Sequence, residues 1–407
     1  LVRTNTGLGV QSVSIGVGSH RSNRVPFVVE DLPECAEQER NDVPASAQEV
    51  PLPVIVNGRV ERPGDKDFFR LSGKAGEQFA IEVRARRLNS PLDSLLELRD
   101  AAGALLASND DWVDKGAGLS THHADSYLIA TLPSDGPYYV CLSDAQRRGG
   151  PDHAYRLRIS PPLPDFELRV VPSTLNVRSG AYVPLTVHAL RKDRFQGDIV
   201  LRLGGTETDF KLAGARLPAG QDTVRVTLAV PGTPFDSPVN LVLEGMAIVQ
   251  GRPVARQAVP ADDMMQAFAY QHLVPAQEFK VACIGRASVR RPPLSIGPSL
   301  LRIPVGGTAR ARLDGAGRNP FSGFQLELDE PPAGVTLGHI TDSGGLREIE
   351  LRCDKEKGQV GLKGNLIIKL LAAGDRTGRR AAVGQRRPAL GFLPAIPFEI
   401  VKSEMSD

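Results

Sequence analysis

The sequence predicts an all-β protein made of tandem β-sandwich domains, and three observations lead there. Apolar and polar residues alternate with a period of two along many short runs, among them FAIEVRA, LLELRD, YLIATL, YYVCLSD, YRLRIS, FELRVV, VRVTLAV and FQLEL, the pattern of a strand with one buried face. Turn signals such as Asn57-Gly58, Pro63-Gly64, Gly149-Gly150 and Gly306-Gly307 separate the runs, as in antiparallel sandwiches rather than β-α-β units. The chain has 407 residues, with 41 Gly and 32 Pro. That is too long for one sandwich core, yet below the ~25 to 30 per cent of Gly plus Pro that marks low-complexity disorder. Residues 262–273 (DDMMQAFAYQHL) could also form a short amphipathic helix and are read as extended.

Prolines interrupt ladder hydrogen bonds and stiffen connections, so proline-rich stretches mark the hinges. Three stand out, at residues 26–34 (PFVVEDLPE), 161–165 (PPLPD) and 290–298 (RRPPLSIGP). They divide the chain into residues 1–30, 31–162, 163–289 and 290–407. The opening LVRTNTGLGVQSVSI reads as mid-strand, so the first segment is taken as the last strands of a module that begins upstream. The segments after the second and third hinges open alike, PDFELRVVPSTLNVRSGAYVPLTV and PLSIGPSLLRIPVGGTARARL, each reading strand, tight turn, strand. This is a weak internal repeat that suggests two related sandwiches.

Composition narrows the function. Forty-nine Lys and Arg against 47 Asp and Glu leave a formal charge of +2, too little to steer nucleic acid or an anionic membrane. The arginine runs at residues 84–87, 376–380 and 386–387 read as solvated surface. No stretch approaches the ~20 apolar residues of a membrane span. Cys35, Cys141, Cys283 and Cys353 lack the spacing of a zinc site. Each sits in or beside an apolar run as a small hydrophobe, with a Cys35–Cys141 bridge as the alternative. Trp112 is the single Trp, and of the strand tyrosines Tyr139 is expected to face the core.

The chemistry concentrates between residues 34 and 67. Glu37, Glu39, Asn41 and Asp42 lie in ECAEQERND, and Asp65 and Asp67 in PGDKDFF. On an extended strand Glu37, Glu39 and Asn41 would share a face, with Gln38 on the other. Like charges so arranged repel unless a cation lies among them. Calcium, which takes six to eight oxygen ligands, suits the set better than magnesium; the other reading is a solvated acidic linker paired with Arg40, Arg59 or Arg62. A second acidic set comprises Asp93, Asn109, Asp110, Asp111, Asp114 and Asp125. It could close around a cation or cap turns through side-chain hydrogen bonds. Ser120, His122, His123, Asp125 and Ser126 superficially suggest a catalytic triad. Adjacent His residues on a strand point to opposite faces, however, and there is no GxSxG elbow, P-loop, HExxH or dinucleotide motif.

From about residue 34 to 160 the chain resembles the bacterial pre-peptidase C-terminal domain. The resemblance rests on ExExND at residues 37–42, the following VNGRV, GDxDFF at 64–69, SPLDSLLEL at 90–98, ASNDD at 107–111 and LPSDGPYYVCLSD at 132–144, in that order. It implies a jelly-roll-like sandwich appended to a secreted enzyme, often a peptidase, similar to the collagen-binding domains of clostridial collagenases. It also implies calcium, with Glu37, Glu39, Asn41, Asp42, Asp65 and Asp67 as ligands. The family commonly has Pro where this chain has Arg40. The flanking segments resemble the Ig-like modules, or at the start a TIG-type module, of large secreted proteins of planctomycete-type bacteria. The combined expectation is a non-catalytic, calcium-stabilised scaffold or binding region, extracellular, periplasmic or on the cell surface. Its partners would be an extracellular polysaccharide or protein, or other domains of the same protein. The alternative is the accessory region of a secreted peptidase or other hydrolase whose catalytic domain lies elsewhere.

Overall fold

The structure is a computed structural model describing residues 9–114, 116, 124–205, 209–265, 271–287, 295–297, 300–314, 324–343, 346–372 and 389–403. These residues are almost all strands and their connections, with two short 3-10 turns at Pro44–Ser46 and Arg86–Leu88. The fold is all-β, as the alternation predicts. Among the described residues no helix is long and apolar enough to cross a membrane. Residues 252–265 and 271–275 are strand, so the described part of 262–273 is extended. The arginine runs at 376–380 and 386–387 lie outside the described residues. Two compact units are present: one takes Leu1–Pro164, Lys192–Arg194 and Gln266–His272, the other Asp165–Arg191, Phe195–Met265 and Leu273–Asp407.

The first unit is dominated by a sandwich of two five-stranded sheets. One runs Leu105–Asn109, Ser94–Arg99, Gly136–Asp144, Lys66–Gly73 and Gln48–Glu49; the other runs Tyr127–Thr131, Gln78–Arg84, Ala154–Ser160, Val54–Arg59 and Glu34–Ala36. Neighbours are antiparallel except at one edge of each sheet, where Gln48–Glu49 and Glu34–Ala36 add in parallel. The facing positions supply the core, including Val54, Val56, Phe69, Leu71, Ile81, Val83, Leu96, Leu98, Val140, Leu142, Leu157 and Ile159. Each such side chain contributes roughly 1.5–3 kcal/mol of burial. Tyr138, not Tyr139, faces inward, because it shares the phase of Val140 and Leu142. Its hydroxyl donates to the Ser134 carbonyl at 2.6 Å. Ahead of the sandwich, Gly9–Val13 and Val25–Val29 form a two-stranded antiparallel sheet.

The 84–87 arginine run is not solvated surface. Glu82 and Arg84 leave the outer face of their strand beside Arg158 and Arg156, which they oppose in register. Glu82 pairs with Arg87 at 3.0 Å, Arg158 at 3.1 Å and Arg84 at 3.3 Å. Arg158 also holds Asp193 at 2.8 Å, and Glu30 bridges Arg84 and Arg156 at 2.9 Å each. Burial alone would push the Glu82 carboxyl up, but Arg84, Arg87, Arg158 and Lys192 reverse this and hold it at about 2. All four cysteines are free, so Cys35 and Cys141 are not bridged.

The second unit carries two further apolar cores. One gathers Phe166, Leu185, Val226, Leu243 and Phe279; the other gathers Ile303, Ile349, Leu351, Ile368 and Phe398. The two halves share a topological feature. Thr174–Ser179 pairs in parallel with Phe279–Arg286, and Leu301–Pro304 pairs in parallel with Ile396–Val401. In each, a strand from the start of the segment lies beside one from its end.

Two expectations follow for the first unit. Phe69→Ala, at a site with no solvent exposure, should cost about 3–5 kcal/mol in a denaturant titration, whereas Val113→Ala, at an 82% exposed site, should stay within about 0.5 kcal/mol. Glu82 stabilises the fold fully above its ordinary value of 4.5, and that contribution is lost as pH falls toward about 2. The stability gap between wild type and Glu82→Gln should therefore close over that window; a constant gap would exclude this role.

Candidate metal centre

The first predicted set converges at one edge of the first sandwich. Glu34–Ala36 runs parallel to Val54–Arg59 as far as Ala36 and Asn57, and the Glu37 amide extends the pairing to the Asn57 carbonyl at 2.9 Å. Beyond this point the chain leaves the sheet. The acidic run is therefore a loop and not the extended strand expected from its alternation, because no neighbouring strand continues its hydrogen bonds. The Glu39–Arg40 peptide is cis. The Phe68 amide donates to the Asn41 carbonyl at 2.9 Å, which fastens the loop to Lys66–Gly73, and Asn41 is fully buried.

The second arm is a tight turn. Pro63 and Gly64 occupy its centre, Gly64 takes a φ of +81°, and the Asp65 amide closes it on the Arg62 carbonyl at 3.1 Å. Pro followed by a positive-φ Gly is the signature of a type II turn. Asp65 Oδ2 accepts from the Glu61 amide at 2.8 Å. Asp67 then enters the strand in phase with Phe69 and Leu71, so alternation carries its carboxylate inward. Opposite it, Tyr155 shares the inward phase of Leu157 and Ile159.

Tyr155 ties the arms together. Its hydroxyl lies 2.8 Å from both Glu37 Oε1 and Asp67 Oδ2. Glu37 Oε2 accepts from the Arg59 amide at 2.7 Å, and Glu37 Oε1 from Asn41 Nδ2 at 3.3 Å. Gly58 makes room for this approach: a Cβ there would lie 2.5 Å from both Glu37 Oε2 and the Tyr155 ring. The ligand atoms of Glu37, Glu39 and Asp67 all lie within 4.8 Å of one another.

Hydrogen bonding leaves this group incomplete. Asn41 Oδ1, Asp42 Oδ1, Asp65 Oδ1 and Asp67 Oδ1 are buried and accept no hydrogen bond. A buried oxygen without a donor is costly, and four in one predicted ligand set are a cluster that a cation would satisfy. Burial, and then the Glu37 charge, push the Asp67 carboxyl up to about 9 despite the Tyr155 hydrogen bond. Glu39 is likewise raised, by burial and then by Glu37 and Asp65. Burial and the facing carboxylates also drive the Tyr155 hydroxyl well above its ordinary range. Among the described residues Arg62 is ion-paired to this set, reaching Asp42 at 2.6 Å and Asp65 at 3.5 Å.

Among the described residues the acids of the second set form no group of three within 4.8 Å of one another. Asp125 is fully buried and already accepts from the amides of Ala85, Arg86 and Arg87 and from Arg87 Nε at 2.7–3.2 Å. Asn109 Oδ1 accepts from the Tyr127 amide, and Asp93 Oδ2 from Gln146 Nε2. Asp110 is exposed and offers its carbonyl to Ser126, Asp111 is exposed, and Asp114 caps the Gly116 amide. These are turn and edge fastenings. Ser120, His122 and His123 lie outside the described residues, and Ser126 is buried against Ser94. Sequence reasoning did not single out Tyr155 or Gly58 for the site; VNGRV carried the glycine, but nothing local to residue 155 pointed to Glu37.

No family model matches the chain. Over 83 residues it is 41% identical to a probable subtilase-type serine protease of Deinococcus radiodurans; the match takes in 20% of this chain and 10% of that protein, so the chain spans about a tenth of that relative's length. The solved structures similar to it include a pre-peptidase C-terminal domain, that of a collagenase from Bacillus anthracis. That whole domain aligns with 32% of this chain at 12% identity and a TM-score of 0.22. The D00-D0 domain of intimin aligns over 99% of its length with 57% of this chain, at 9% identity and a TM-score of 0.19.

The role of Gly58 can be checked directly. Gly58→Ala must displace both Glu37 and Tyr155, since neither leaves room for a methyl group. It should destabilise the fold by about 1–3 kcal/mol as an overpacked site. Adding Tyr155→Phe should not recover that loss, because the ring remains. Unchanged stability in Gly58→Ala would contradict the packing described.

Proposed function

We propose that this chain is a non-catalytic region of an exported multidomain protein, and that its first sandwich is held in shape by calcium. The observation that carries the reading is the set of four buried, donor-less oxygens on Asn41, Asp42, Asp65 and Asp67 beside Glu37 and Glu39. The residues fit the ion: all six offer oxygen, five are carboxylates, and they come from a loop, a turn and the start of the strand that follows it, which can close around a large, flexible coordination shell. Bound calcium would supply positive charge to these carboxylates beyond what Arg62 brings to Asp42 and Asp65. Glu37, Glu39, Asn41, Asp42, Asp65 and Asp67 would hold it, with the Tyr155 hydroxyl orienting Glu37 and Asp67 and the Arg59 amide fixing the second Glu37 oxygen. The role of the whole region is then mechanical and adhesive, presenting a rigid surface to an extracellular polymer or to neighbouring domains.

A second reading, favoured by the partial match to a probable subtilase-type serine protease, makes the chain the accessory region of a secreted peptidase. The two differ in whether the same reading frame encodes a catalytic domain, which its full sequence decides.

The test of the metal reading is thermodynamic and optical. Calcium at ~100 times its Kd should stabilise the fold by roughly 2.7 kcal/mol, with magnesium a poor substitute. Glu39→Ala should remove most of the gain and Gln38→Ala almost none. Terbium in place of calcium should luminesce on excitation of Tyr155, whose hydroxyl touches two of the ligands. Superimposed melting curves in calcium and in chelator would sink the proposal.

A further inference from the structure

Arg62 stands apart from the other residues around this centre. It offers no oxygen, yet its guanidinium meets Asp42 Oδ2 at 2.6 Å and lies 3.5 Å from Asp65 Oδ1. Its backbone is fixed twice. It begins the turn that the Asp65 amide closes, and Gly149 packs so tightly on it that a Cβ at 149 would run into the Arg62 backbone. Its side chain is the opposite, with 60% of its surface exposed. The fold thus anchors the Cα of a cationic residue at the rim of an acidic cluster and leaves the charge itself in water.

We infer that Arg62 sets the affinity of the centre by offsetting part of its charge before any ion arrives. This rests on the metal reading above. Glu37, Glu39, Asp42, Asp65 and Asp67 bring five carboxylates, and Arg62 is the guanidinium paired with two of them. It takes Asp42 Oδ2 and leaves Asp42 Oδ1 buried without a donor, so it does not fill the place of the ion. Its influence is through charge. An incoming divalent cation would meet a less negative site and the repulsion of the guanidinium, an interaction weakened but not abolished by the water around it. The arginine also lessens carboxylate repulsion when no ion is bound, so the same residue steadies the metal-free fold and loosens the metal-bound one.

The opposite role is equally concrete. If Arg62 served to orient Asp42 as a ligand, losing it would weaken binding. Calcium affinity, measured by calorimetry and by competition with terbium luminescence, separates the two on the full chain. Arg62→Gln should bind calcium roughly three- to tenfold more tightly than wild type and melt at a lower temperature in chelator. Arg62→Lys keeps the charge and should stay within about twofold of wild type. Because the guanidinium is exposed, raising the salt to ~1 M should shrink the difference between Arg62→Gln and wild type; a purely steric effect would persist. Calcium binding by wild type with unchanged or weaker affinity in Arg62→Gln overturns the inference alone. Absence of calcium binding by wild type overturns the metal reading and this inference with it.

Discussion

A strand buries every second side chain, and in the first sandwich that rule reaches a residue ill suited to burial. Asp67 occupies the phase of Phe69 and Leu71, so the pleat that builds the core also takes a carboxylate out of water. The surroundings can be read as responses to that constraint. Tyr155, inward on the facing sheet for the same reason, brings its hydroxyl to Asp67, and Gly58 is bare so that the ring and Glu37 can pass over the strand. The loop after residue 36 leaves the sheet and is pinned by the Asn41 carbonyl, which brings the acidic run against Asp67.

The same sandwich treats another shielded carboxylate in the opposite way. Glu82 lies among Arg84, Arg87 and Arg158, and their charge overcomes its desolvation. Asp67 lies among other acids, and desolvation and repulsion act in the same direction. The contrast comes from partners and not from depth: guanidinium groups around a carboxylate favour its charged form, whereas neighbouring carboxylates disfavour it.

The all-β architecture was legible because period-two alternation is local and repeats along the whole chain. The phase of a strand was less so: in YYVCLSD either tyrosine could be inward until Val140 and Leu142 fixed the register, and Tyr138 took the core. The acidic residues of the centre were legible from composition and order, but their geometry was not. Whether residues 37–42 stay in a sheet depends on a neighbouring strand contributed elsewhere. Tyr155 was hidden for a related reason, since it lies far along the chain from the Glu37 it contacts, whereas Arg62 stood among the arginines expected to pair with the acidic run and does so. The 84–87 run looked like solvated surface because two of its acidic partners, Glu30 and Asp125, are distant in sequence, and the third, Glu82, is also shielded by Arg158 of the neighbouring strand. Asp125 itself looked like a ligand because the backbone amides that occupy it leave no mark on the sequence.

The parallel pairing of an early strand with a late one, found in both halves of the second unit, bears on how these segments respond to force. Leu301–Pro304 and Ile396–Val401 run in the same direction side by side. A pull on the chain before the first and after the second draws them along their axes in opposite senses. Their hydrogen bonds are then loaded together in shear and cannot open one at a time from an end. The same holds for Thr174–Ser179 and Phe279–Arg286. Segments paired in this way resist extension collectively up to a rupture force.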